Sequence, residues 1–194
     1  MHRRRAVRRG FTLLEILLVT LLLGLLSALV YGLLIHGIRR SRELADQTAR
    51  QHQGQVLQSL LQSDLVESGA EDCFLGDSYA AMVPLAPVDS SGTVHWSNRL
   101  LLYVYVAPNL HRYDLSSASG LDLSALELGR TQAPKLTEAT VSPLVTAVSG
   151  RPSSSHWSDL GEWKLVFLAG GTGYHLRAVF HYGRQEDVID TVLW

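Results

Sequence analysis

The chain has 194 residues, 46% of them hydrophobic, a formal net charge of −1 and one cysteine. That length accommodates a single domain with its own core beside one further segment, the charge balance gives no footprint of a nucleic-acid protein, and a lone cysteine excludes an intrachain disulfide. The charge is unevenly placed: Arg3, Arg4, Arg5, Arg8 and Arg9 precede any acid, so a chain lacking its first ten residues would carry about −6.

The first element opens with Arg8-Arg9-Gly10-Phe11-Thr12-Leu13-Leu14-Glu15, and from Ile16 to Ile35 no residue is charged. As a helix that run spans about 30 Å, the hydrocarbon thickness of a bilayer. Glu15 stands at its entrance. An ionisable group inside a membrane segment costs roughly 2 to 3 kcal/mol on the more lenient scales, less near the interface, and so calls for a partner. Its own helix offers no obvious one: Thr12, Leu18 and Val19 lie within helical reach, and the nearest basic residues are Arg8 and Arg9. An ordinary secretory signal peptide has an apolar core of about 7 to 15 residues followed by a small-residue cleavage site. Here the run is longer, an acid interrupts its start, and no A-x-A triplet follows. A plain signal anchor would leave Gly10 and Glu15 without a role.

The basic leader, Gly10-Phe11-Thr12-Leu13-Leu14-Glu15 and the long apolar helix together resemble the type III signal of prepilins, the precursors of type IV pilins and of the pseudopilins of type II secretion and DNA-uptake systems. The resemblance covers about the first thirty residues. It implies that a prepilin peptidase cuts between Gly10 and Phe11, that the new amino group of Phe11 is methylated, and that Glu15 meets the Phe11 amine of a neighbouring subunit. It also implies insertion in the inner membrane with the leader in the cytoplasm and the chain beyond Arg39 on the periplasmic side, and delivery through an inner-membrane assembly platform into a fibre of other pilin subunits. Five arginines before the run against Arg39, Arg40, Arg42 and Arg50 after it lean the same way.

Beyond the apolar run the helical pattern continues. Leu44, Ala45, Ala49, Val56, Leu57, Leu60, Leu61 and Leu65 recur at three- and four-residue spacings, and no proline occurs before Pro84, which predicts one helix from about Thr12 to about Val66. Gly24, Gly32, Gly37 and Gly54 are its weak points, each costing about 1 kcal/mol against Ala. Many major pilins carry Gly and Pro near the first two, where the helix can loosen; this chain has no Pro there.

After Ser68 the text turns from helical to extended. Arg99 to Ala107 is rich in strand formers, Pro108-Asn109 signals a turn, and Leu110 to Leu115 can return as a partner strand. Ser116 to Leu136 reads as loop with a short helix, and Ser149 to Ser155 as a polar loop. At the C-terminus, Trp163 to Leu168, Gly170-Gly171-Thr172-Gly173, Tyr174 to Tyr182, Gly183-Arg184-Gln185-Glu186 and Val188 to Trp194 spell a three-strand meander. Within its middle strand Leu176, Ala178 and Phe180 face the core, and His175, Arg177, Val179 and His181 face water.

The expected fold is therefore α+β and pilin-like. Residues 1–10 form the leader, 11–38 the membrane and assembly half of the helix, 39–68 its amphipathic half, and 69–194 an antiparallel β-rich domain. The hairpin ending Leu110-His111-Arg112-Tyr113-Asp114-Leu115 and the absence of paired cysteines resemble minor pilins and the J-type minor pseudopilins. Cys73 reads as a small buried apolar residue, the alternative being an intermolecular bridge.

No catalytic pattern emerges. Gly170-Gly171-Thr172-Gly173 lacks the Gly-Lys-Ser/Thr of a phosphate loop and has strands on both sides; there is no H-E-x-x-H and no G-x-S-x-G; Ser153-Ser154-Ser155-His156 is loop text. His175 and His181 read as a solvated face. No metal and no cofactor is expected, and the protein is expected not to be an enzyme. The leading class is a structural subunit. A fibre-tip adhesin or DNA-uptake subunit and a signal-anchored periplasmic enzyme are the alternatives, with nucleic acid disfavoured by the acidic balance.

Overall fold

The computed structural model describes residues 12–69, 73–116, 119–168, 173–182 and 185–193. Helix α1 runs Leu13–Ser68 and passes through all four glycines. The chain divides into two compact units, Met1–Arg50 and Gln51–Trp194. In the first unit the helix is apolar on every side from Ile16 to Ile35, with Leu17, Leu18, Val19, Leu21, Leu22 and Leu23 all exposed. A helix apolar all round is stable only where its surroundings are apolar, and this one is long and apolar enough to cross a membrane.

The second unit begins later than the pattern suggests. Leu44, Ala45 and Ala49 belong to the first unit and are exposed, as is Val56, so the buried stripe starts only at Gly54 and continues through Leu57, Leu61, Asp64, Leu65 and Ser68. Gly54 brings the helix close to strand residue Ile189. A Cβ at that position would lie 3.1 Å from Cδ1 of Ile189, a tight contact that the isoleucine tip must yield to by a few tenths of an ångström.

Among the described residues eight strands follow: β1 (Cys73–Leu75), β2 (Tyr79–Met82), β3 (Arg99–Val106), β4 (Asn109–Ser116), β5 (Ser155–Trp157), β6 (Leu160–Phe167), β7 (Tyr174–Tyr182) and β8 (Gln185–Leu193). A second helix, α2 (Glu138–Val148), lies between β4 and β5. Strands β1 to β5 form one antiparallel sheet in chain order, and β6 to β8 a second. The β3–β4 hairpin pairs Val106 with Asn109 across Ala107-Pro108, whose peptide bond is cis. In the second sheet Gln185 and Glu186 pair directly with Tyr182 and His181, so strand β8 starts inside what the sequence reads as a turn. Gly170 to Thr172, Gly183, Arg184 and Trp194 lie outside the described residues.

The five-stranded sheet is buried on both faces, which explains the unbroken apolar text of β3. On one face Leu101 and Tyr103 join Leu57, Leu61 and Leu65 of α1 and Trp163, Leu176 and Phe180 of the second sheet in one core. Tyr103 stacks against Trp157 and Trp163 at 6.4 and 6.2 Å between ring centres. On the other face Leu100, Leu102 and Val104 meet Val141, Leu144 and Val148 of α2, with Leu123 and Leu126 beside a 3-10 turn at Ser124–Leu126. Strand β7 turns Leu176, Ala178 and Phe180 inward as its alternation predicts, but Val179 on the opposite face is also buried. It sits between Arg177 and His181 along the strand and between Glu162 and Val188 across it. Cys73 is partly buried against the first core.

Because the helical leucines of that core belong to the second unit, a fragment starting at Arg39 is expected to fold as a soluble monomer. Its circular dichroism should show both helix and strand, and its elution volume should fit one chain. Aggregation, or a spectrum without the strand contribution, would show that the domain needs the apolar run.

Candidate assembly site

Glu15 lies in the first turn of α1 and, unlike the expectation from sequence, has a partner in its own helix. The Thr12 backbone N–H donates to Glu15 Oε2 at 3.0 Å and the Thr12 hydroxyl donates to the same oxygen at 3.2 Å. In return Glu15 N–H approaches Thr12 Oγ1 at 3.4 Å and the Thr12 carbonyl oxygen at 3.0 Å. Thr-x-x-Glu at a helix start is the capping-box spacing, in which residues three apart satisfy each other's free backbone donors. Judging Glu15 by charged neighbours at helical reach misses it, because the partner is the end of the helix itself. The carboxylate also lies where the helix dipole is positive. Gly10 and Phe11 lie outside the described residues.

No second constellation of comparable kind comes from the other residues singled out in the sequence. His175 Nε2 pairs with Asp190 at 2.6 Å, and His181 Nδ1 with Glu186 at 3.3 Å, on an exposed sheet face where Arg177 bridges Glu162 and Asp190. Hydrogen bonding and charge from His175 lower the Asp190 pKa, with Arg177 adding to it. Among the described residues no three His, Cys, Asp or Glu side chains converge as metal ligands. In the serine-rich loop Ser154 Oγ donates to the Arg112 carbonyl at 2.7 Å, and Ser155 and His156 enter β5.

The sequence gives no hint of the buried carboxylate that holds the domain's helix to its sheet. Asp64 lies within the apolar stripe of α1 and accepts from Arg112 Nε at 2.7 Å, Arg112 Nη2 at 2.9 Å and the Tyr103 hydroxyl at 2.6 Å. Burial, and then the Asp64 charge, hold the Tyr103 phenol far above its ordinary pKa, so it stays a donor. Burial opposes the Arg112 charge, but the hydrogen bonds and charge of Asp64 outweigh it and the guanidinium pKa is raised. The cluster ties α1 to β3 and β4 and involves no group free to react.

A long N-terminal apolar helix that opens on a capped carboxylate and leads into antiparallel sheets is a pilin-like α+β arrangement. Residues 5–31 match the family model of the prokaryotic N-terminal methylation motif. The chain thus carries a type IV pilin signal, and the motif implies membrane anchoring and assembly with other pilin subunits. No curated protein and no solved structure matches the chain.

Proposed function

We propose that this protein is a minor pilin or minor pseudopilin of the J type: a non-enzymatic structural subunit that enters a type IV pilus, a type II secretion pseudopilus or a competence pseudopilus by its N-terminal helix. The observation that carries the reading is the methylation motif at residues 5–31 running directly into a helix that is apolar on every side. In this reading a prepilin peptidase removes residues 1–10, Phe11 becomes the methylated N-terminus, and the inner-membrane platform lifts the helix out of the bilayer with the domain on the periplasmic side. Glu15 then exchanges its cap for the amine of a neighbouring subunit. Tip adhesion and DNA uptake remain alternatives for the same anchored architecture.

The mature protein is expected to begin at Phe11 with one added methyl group. Intact-mass analysis of membrane-extracted protein checks this. Detection of the full-length chain alone, or of a cut beyond Ile35, would remove the basis of the reading.

A further inference from the structure

On the face of the five-stranded sheet away from α1, helix α2 stops before the strands do. At ~1.5 Å per residue its 11 residues cover about 16 Å, whereas the eight residues of β3 extend about 27 Å. The uncovered end is a cavity of ≈ 560 Å³ whose walls include Val104, Val106, Val145 and Val148, with His111 and Arg151 among its polar groups. That volume lies within the roughly 300–1,000 Å³ of ligand sites, and an apolar wall with a few convergent polar groups is their usual composition.

The polar groups define the ligand. Gly150, at φ +84°, turns the chain out of α2, and Arg151 N–H closes the turn on the Val148 carbonyl at 2.9 Å. The Arg151 guanidinium donates from Nη1 to the Ser119 carbonyl at 2.7 Å. Elsewhere among the described residues of this unit Arg99, Arg112, Arg130 and Arg177 each meet a carboxylate; Arg151 meets none. Among the described residues no acid lines the cavity. His111, whose pKa is lowered by burial and by neighbouring His156, contributes to the wall with its Nδ1 3.4 Å from Ser153 Oγ and does not compete for the anion.

We infer that this cavity docks a peptide segment of a partner protein in which an acidic side chain stands beside a branched apolar one, the carboxylate meeting Arg151 and the apolar group resting on exposed Val106 and half-buried Val145. A peptide fits better than a simple anion, because an anion alone leaves the exposed side chain of Val106 and the half-buried one of Val145 wet. The site lies wholly in the second unit and does not depend on the assembly reading.

The test uses the full chain in a neutral maltoside detergent with valine methyl groups isotopically labelled for NMR, and acetyl-Val-Glu-Leu-amide as the probe. Saturable shifts confined to Val104, Val106, Val145 and Val148 are expected, about fivefold weaker for the Gln counterpart and for Arg151→Gln, as the loss of one partly exposed ion pair implies. Arg151→Lys should recover part of the affinity. If Arg151→Gln alters the spectrum before peptide is added, the comparison of Glu and Gln peptides on the unaltered chain decides alone. Equal binding of the two peptides, shifts scattered over other valines, no binding at millimolar peptide, or full competition by acetate would overturn the proposal, the last by showing a site for free anions.

Discussion

Asp64→Ala is expected to destabilise the second unit by about 3 to 5 kcal/mol, because it leaves the Arg112 guanidinium buried with its charge uncompensated. The Asp64 and Arg112 side chains are only 5% and 11% exposed, so water cannot replace the lost partner. For a unit of this size the thermal midpoint should fall by on the order of 10 °C. Tyr103→Phe removes one donor and leaves the ion pair intact, so it should cost less, about 1 to 3 kcal/mol. Replacing both charged partners, with Asp64→Leu and Arg112→Met together, should recover much of the loss, since apolar groups can replace a buried ion pair at little cost. Urea titrations of the full chain in neutral detergent, followed by near-ultraviolet circular dichroism, give the values. A loss below about 1 kcal/mol for Asp64→Ala would mean that Arg112 finds water or another acceptor, and that the cluster does not hold α1 to the sheet.

What was legible in the sequence follows from how locally each element is encoded. The apolar helix, the β3–β4 hairpin and the meander each carry their pattern within a few residues, and all three are present. Helix α2 is encoded as locally: Val141, Leu144 and Val148 recur at helical spacing and Thr137 caps the start with Thr140. Pro143 within it and a run of β-branched residues disguise the pattern, and packing against the sheet overrides those poor propensities. Strands β1, β2 and β5 are three or four residues long and take their conformation from longer neighbours. Asp64 is of another kind. A single acid on a helix reads as the solvent face, and only the return of Tyr103 and Arg112, 39 and 48 residues later, turns it inward. Of the assembly site, Glu15 is visible as an anomaly of hydropathy, whereas its cap requires knowing that the helix starts at Leu13.

Glu15→Leu is expected to leave membrane insertion and peptidase processing intact and to reduce entry into the fibre by tenfold or more. Insertion should not suffer, since the substitution removes the one charge from the apolar run and lowers the cost of placing the helix in lipid. What disappears is the attraction between a carboxylate and the amine of an adjacent subunit. At 4 Å such a pair is worth about 1 kcal/mol in water and about 4 kcal/mol at an effective dielectric of 20, so the contact gains strength where water is excluded. The cap found here sharpens the test. Thr12 holds Glu15 through backbone and hydroxyl donors that a glutamine side chain could also satisfy, so Glu15→Gln keeps the helix start and deletes only the charge. If the charge docks the subunit, Gln should fail as Leu does and Glu15→Asp should retain part of the function. If the cap is what matters, Gln should assemble normally and Thr12→Val should be defective. Crosslinking to neighbouring pilins and recovery in sheared fibres, beside an immunoblot for the processed protein, separate the two. Normal assembly of the Leu variant would show that Glu15 serves neither purpose and that the subunit is held by the apolar surface of the helix alone.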